Sequence, residues 1–149
     1  MVILALDYGE RRIGMAVSDP LGIAAHGLDT LECEDLEAAL DRIAAVVRER
    51  GAERIVVGMP TRMDGTPGPA AHRVRGFIKR LRARLPDVPV AEVDERLTSA
   101  QAHRVLSEQG VTMQRRRERV DRMAAQLILT RHLNMLRSRP PEGEEPQGD

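Results

Sequence analysis

The sequence predicts an α/β protein: a mixed five-stranded sheet, with three early strands in an antiparallel meander, two later strands added in parallel, and helices on its faces. Three observations predict it. The chain opens with two apolar runs, Val2 to Leu6 and Ile13 to Val17, separated by a polar turn at Gly9, which is the pattern of a β-hairpin. From Asp35 onward helical periodicities alternate with short apolar runs, as parallel strands joined by crossover helices require. A length of 149 residues with 42% apolar content suits one domain with its own core.

The elements follow in order. Leu21 to Leu28 reads as a third, weaker strand interrupted by Gly22 and Gly27, and Asp29 to Asp35 as a polar connection. Asp35 is suited to cap a helix carrying Leu36, Ala39, Leu40, Ile43, Ala44 and Val47 at helical spacing, with Gly51 to stop it. Arg54 to Gly58 is a continuous apolar run, the mark of a strand buried on both faces. Met59 to Pro69 is a loop by composition, either a rim over a site or a long turn; it lacks the GK[ST] ending of a P-loop. A helical pattern over Ala70 to Leu85 carries Val74, Phe77, Ile78 and Leu81 on one face, and Pro86 to Pro89 breaks it. Val90 to Val93 is the last strand and runs into Asp94-Glu95-Arg96. Thr98 or Ser99 caps a helix to about Gln109, and a final helix spans about Gln114 to Leu136 with an apolar face of Val120, Met123, Ala124, Leu127 and Ile128. The folded domain is expected over 1–137. Residues 138–149, acidic and rich in Pro and Gly, are expected to be a disordered tail.

Composition narrows the function. With no Trp, one Tyr and one Phe the core is aliphatic, and there is no aromatic platform on which bases could stack. Nucleic-acid contact would therefore rest on backbone charge and shape. The net charge is zero, but Arg139 to Asp149 holds one Arg against Glu142, Glu144, Glu145 and Asp149, a net of −3 that leaves the body at +3. Lys79 is the one lysine among the cations; arginine suits bidentate phosphate contacts, and the codon bias of a GC-rich genome would produce the same preference. Cys33 stands alone, excluding a disulfide framework and a cysteine-based zinc site. His26, His72, His103 and His132 lack metal-ligand spacing and read as structural or surface residues. No leader and no apolar run of about 20 residues occurs, so a cytoplasmic protein with no membrane partner is expected.

Three acidic positions sit where charge is awkward. Asp7 closes a buried strand, which is costly unless a metal, a cation or hydrogen bonds compensate it; the structural alternative is a turn-capping role beside Gly9. Asp94 and Glu95 end the last strand, and strand alternation sends the two to opposite faces, so either could be the ligand. Asp121 borders the apolar face of the final helix, where Ala124 and Ala125 would let the helix approach the sheet closely; its structural alternative is an ion pair with Arg117. Carboxylates converging from two strand ends and a helix make an oxygen-ligand site for Mg²⁺ or Mn²⁺. Two such ions, about 3.5–4 Å apart, can activate water and stabilise a leaving oxygen in phosphodiester cleavage. The cations Arg115, Arg116, Arg117, Arg119 and Arg122 lead into and past Asp121, and Arg11, Arg12 and Arg96 flank the other acids. All eight are expected to contact nucleic-acid phosphates.

The segments LDYGERRIGMAVSD, GMPTRMDGTPGPAA, VDERLTSAQA and VDRMAAQLIL, in that order, resemble the motifs of the bacterial YqgF family. These are Holliday-junction-resolvase-like proteins also described as pre-16S rRNA nucleases. The resemblance covers the chain to about Leu136. It implies an RNase H-like fold and metal-dependent phosphodiester cleavage, with a role in maturing the 5′ end of 16S ribosomal RNA in the pre-ribosomal particle. By the same resemblance Asp7, Glu95 and Asp121 are the catalytic, metal-binding acids; Asp94 or Asp64 is a candidate for a fourth. Arg12, Met59 and Ser99 depart from the residues usual in the family, and none of them is an acid. RNA is the expected partner over branched DNA, and a monomer over a dimer. The competing readings are a DNA junction resolvase, which would act as a two-fold dimer, and a non-catalytic RNA- or ribosome-associated factor. A sugar kinase or actin-like ATPase, suggested by Asp7, Gly9 and Gly14, would need a second domain of this kind to enclose ATP.

Overall fold

The computed structural model describes residues 1–60, 68–94 and 113–138, with side chains over 122–134 in the last stretch. Strand β1 (Ile3–Tyr8) returns through a turn in which the Gly9 N–H donates to the Arg12 carbonyl at 2.9 Å, forming β2 (Arg12–Ser18). The meander continues into β3 (Ala25–Glu32). Helix α1 (Leu36–Arg50) then leads to β4 (Arg54–Met59), α2 (Pro69–Arg84) to β5 (Val90–Asp94), and α3 (Met113–Ser138) follows. The strand order is β3-β2-β1-β4-β5. β2 is antiparallel to both β1 and β3, whereas β4 runs parallel to both β1 and β5. This is the mixed five-stranded sheet expected from the sequence.

Helix α1 is bounded as its sequence predicts. The Asp35 carboxylate accepts from the Glu37 N–H at 3.0 Å, and Gly51 takes the left-handed conformation (φ 66°) that ends the helix. Because strand side chains alternate, the sheet divides the core in two. On one face Leu4, Leu6, Ile55 and Val57 bury against α1 and α2, including Ile43 and Phe77. On the other, Ile3, Ala5, Ala16, Val56 and Val93 bury against Ala125, Ile128, Leu129 and Leu133 of α3. That single helix touches all five strands. Alanines on both sides of the contact let its backbone lie close to the sheet.

Three boundaries differ from the sequence reading. β1 runs two residues past Leu6, so Asp7 and Tyr8 are inside the strand, paired with Gly14 and Ile13. The third strand is Ala25–Glu32 rather than Leu21–Leu28. Asp19 holds Leu21 to Ala24 as a turn, its carboxylate accepting from the N–H groups of Ile23 (2.9 Å) and Ala24 (3.1 Å). β3 is an edge strand with His26, Asp29 and Glu32 exposed, so its sequence reads as a polar connection. In α3 the fully buried residues include Ala125 and Leu129, while Met123 and Leu127 are half-buried, so the stripe is rotated from the expected one. α3 extends to Ser138. The expected helix after Thr98 and the tail 139–149 lie outside the described residues, as does 61–67 of the Gly/Pro loop. Among the described residues no helix is long and apolar enough to cross a membrane.

Candidate active site at the strand ends

β1, β4 and β5 are parallel, so their carboxyl ends gather at one edge of the sheet. Asp7 stands there on β1. Ile3 and Ala5 face α3, and Asp7, two residues further, continues on the same face. It is half-buried. Its cross-strand partner on β2 is Gly14. On β4 the register Leu6↔Val57 makes Gly58 the next position beside it. Asp7 is therefore flanked on both neighbouring strands by buried residues without side chains. Past Gly58 the same row reaches Val93 on β5, about 10 Å from β1 at the usual strand spacing. At this carboxyl edge, on the α3 side, Asp7 thus meets no side chain from the neighbouring positions of β2 and β4. A hard cation with oxygen ligands fits such a cradle, which a Cβ at Gly14 or Gly58 would begin to fill.

On β5, Val93 packs in the α3-side core, so the next residue, Asp94, points to the opposite face and is exposed. Its backbone carbonyl accepts a hydrogen bond from Arg131 Nη1 of α3. Alternation thus separates Asp94 from Asp7, a distinction the sequence left open. Glu95, Arg96 and Asp64 lie outside the described residues. Asp121 stands in α3 one turn before Ala125, which is fully buried against the sheet; the side chains of Asp121, Arg115, Arg116, Arg117 and Arg119 are outside the description. Among the described residues no three His, Cys, Asp or Glu side chains form a metal-ligating group.

The cations divide. Arg11 is exposed on the hairpin turn, and half-buried Arg12 opens β2 opposite Glu32. The turn is tied to α2 by Arg73, whose Nη1 donates to Glu10 Oε1 at 2.5 Å and holds the Glu10 carboxyl below its ordinary pKa. Arg122, by contrast, is bound to β3: Nε donates to the Leu28 carbonyl at 3.1 Å and Nη2 to Asp29 Oδ1 at 3.2 Å. On the α2 side of the same edge, Tyr8 stacks on Phe77 with ring centroids 4.3 Å apart and planes 6° from parallel. Burial raises the pKa of the Tyr8 phenol. This pair, the one Tyr and the one Phe of the chain, anchors the end of β1 next to Asp7. Gly58 was not singled out in the sequence, and Gly14 only as part of a phosphate-binding hairpin. Glycine inside an otherwise apolar strand was the available signal.

Comparison with known proteins identifies the family and the fold. The profile of the RuvX family, described as Holliday junction resolvase, matches residues 1–135. A protein of Symbiobacterium thermophilum named "Putative pre-16S rRNA nuclease" is 45% identical over 142 residues, covering 95% of this chain and 98% of that protein. One of the same name from Moorella thermoacetica is 44% identical over 136 residues, covering 91% and 96%. Among solved structures, the chain resembles Thermus thermophilus RuvC in complex with a Holliday junction substrate, with a TM-score of 0.54 at 15% identity over 93% of this chain and 97% of that one. It resembles the fowlpox virus resolvase in its complex with Holliday junction DNA at a TM-score of 0.55 and 12% identity, covering 91% and 99%. These likenesses show the RNase H-like fold.

Proposed function

The chain belongs to the RuvX family, and from that premise we propose that it is a metal-dependent nuclease, a hydrolase of phosphodiester bonds, that processes the 5′ end of pre-16S ribosomal RNA. The observation that carries the reading is Asp7, half-buried at the carboxyl edge of the sheet between Gly14 and Gly58. A carboxylate kept inside a strand, with glycine beside it on both neighbouring strands, is an oxygen donor at the edge where the parallel strands end, as a hard cation requires.

In this reading Asp7, Glu95 and Asp121 hold Mg²⁺ or Mn²⁺. Supporting this for Glu95 is its place in the chain, directly after Asp94, the last residue of β5 at the carboxyl edge of the sheet. For Asp121 it is the helical spacing to Ala125. All three donors are hard oxygens, which suit these ions over zinc or copper. A pair of ions would activate the attacking water and stabilise the leaving oxygen. The protein's own share is to hold Asp7 on a strand and Asp121 on a helix, and to steer the phosphate backbone with Arg11, Arg12, Arg96 and the run Arg115 to Arg119. The enzyme acts as a monomer on the pre-ribosomal particle.

The test is incubation of the protein with a 5′-extended 16S rRNA fragment and, separately, with a four-way DNA junction, in Mg²⁺, Mn²⁺ or EDTA. Metal-dependent trimming of the RNA is expected, with Asp7→Asn reducing it at least about 100-fold while its melting curve stays cooperative. Symmetric cutting of the junction instead would make the protein a DNA resolvase. No cleavage and no metal binding would leave a binding factor.

A further inference from the structure

We propose that Arg122 and Arg131 are positioning residues, a two-point clamp that sets where α3 and the end of β5 present their acids; this rests on the nuclease reading above. Each guanidinium is bound to the backbone carbonyl of an edge strand, and the two strands are opposite edges of the sheet. Arg122 donates to Leu28 on β3 and also to Asp29 Oδ1. Arg131 donates to Asp94 on β5. Nine residues of helix, about 14 Å, separate the two arginines, so α3 is pinned near both ends of its buried stretch.

The pinned points are next in the chain to the proposed ligands. Arg122 follows Asp121 directly, and Asp94 directly precedes Glu95. β3 is shaped to receive the first arginine: a Cβ at Gly27 would come within 2.3 Å of Arg122 Cγ and 2.5 Å of Cδ, so the aliphatic stem lies flat on the bare strand. A planar, forked donor set serves one carbonyl and one carboxylate at once, which lysine cannot reproduce. A guanidinium engaged in this way contributes its geometry to the fold rather than to phosphate. Arg122 is thereby taken out of the phosphate-binding set in which its sequence neighbours place it. A shell of acids must be held to about 0.5 Å to keep a metal in productive geometry, and supporting contacts of this kind are typically worth about 10–100-fold in metal affinity.

The experiment uses the full chain with Arg122→Lys, Arg131→Lys and Gly27→Ala. Mn²⁺ affinity is measured by calorimetry without RNA, RNA affinity in EDTA across a salt series, and cleavage and melting alongside. Each variant is expected to bind Mn²⁺ about 10–100-fold more weakly and to cleave more slowly, with RNA affinity and its salt slope unchanged. Wild-type Mn²⁺ affinity in all three variants would overturn the clamp. For Arg122 it would also be overturned if Arg122→Lys kept full activity while Arg122→Gln made the salt slope shallower by about 0.7–0.9, the signature of a phosphate contact. If Arg131→Lys fails to fold, Gly27→Ala and Arg122→Lys carry the test, because neither Gly27 nor Arg122 belongs to either core. A wild-type protein that binds no Mn²⁺ overturns the nuclease reading itself, and the clamp with it.

Discussion

Asp19 sets the shape of the end of the meander opposite the site. Its carboxyl lies below the ordinary aspartate value of 3.8, chiefly because the Ile23 N–H donates to it, with the Ala24 N–H adding to the effect. A carboxyl with a lowered folded pKa contributes stability above its unfolded pKa and loses it as pH falls through the folded one. Asp19→Ala should therefore melt below the wild type at pH 7, with the gap closing as pH is taken down from about 4; thermal melts at both ends of that range check it. Asp7 is the opposite case. It occupies a strand rather than a turn, and its neighbours Gly14 and Gly58 bring no side chains of their own against it. Asp7 could be singled out in the sequence because a charge ending an apolar run is costly. That Gly14 and Gly58 stand beside it could not be read there, because which residues neighbour Asp7 depends on strand register.

Among the elements, α1 and α3 are contrasting helices. α1 is specified locally: Asp35 caps it, its apolar positions recur at helical spacing, and Gly51 ends it with φ 66°. Nothing lies within 4 Å of the position a Gly51 Cβ would take, so the cost of Gly51→Ala is that of the left-handed backbone alone. We expect a loss of about 1 kcal/mol in denaturant unfolding and no change in cleavage, since Gly51 leads into the amino end of β4, away from the site. α3 is specified by what it lies on. Its hydropathy pattern suggested Met123 and Leu127 as core, whereas Ala125 and Leu129 are the residues fully buried against the strands. The small size of Ala124 and Ala125 already pointed to a close approach; the structure adds what they approach, a surface that includes Ala5 and Ala16.

For the whole molecule, the sheet separates an α1/α2 core, which supplies most of the buried side-chain bulk among the described residues, from an α3 core under which the acids are proposed to meet. Net charge is zero, so no long-range field of one sign draws in a polyanion. Affinity for RNA must come from local cations. Replacing Arg115, Arg116 and Arg117 together by Gln should weaken RNA binding uniformly across sequences. It should also make the slope of log affinity against log salt shallower by about 2, near 0.7 for each single-strand phosphate that is no longer neutralised. Filter binding from low to moderate salt in EDTA measures this separately from cleavage.

The residues alone determined the fold class, the order of the described strands and helices, the caps of α1, and the acids worth testing, because each is written in local terms: periodicity, breakers and a charge at the end of an apolar run. The RNase H-like topology was accessible through four ordered motifs, and the strand order agrees with it. Tertiary structure alone decided the rest. Register put Gly14 and Gly58 beside Asp7, alternation turned Asp94 away from it, and packing on an edge strand tied Arg122 to the Leu28 carbonyl and Asp29. The physical reason is the same in each case: a side chain's role at a site depends on which strand or helix lies next to it, and those neighbours are distant in the sequence.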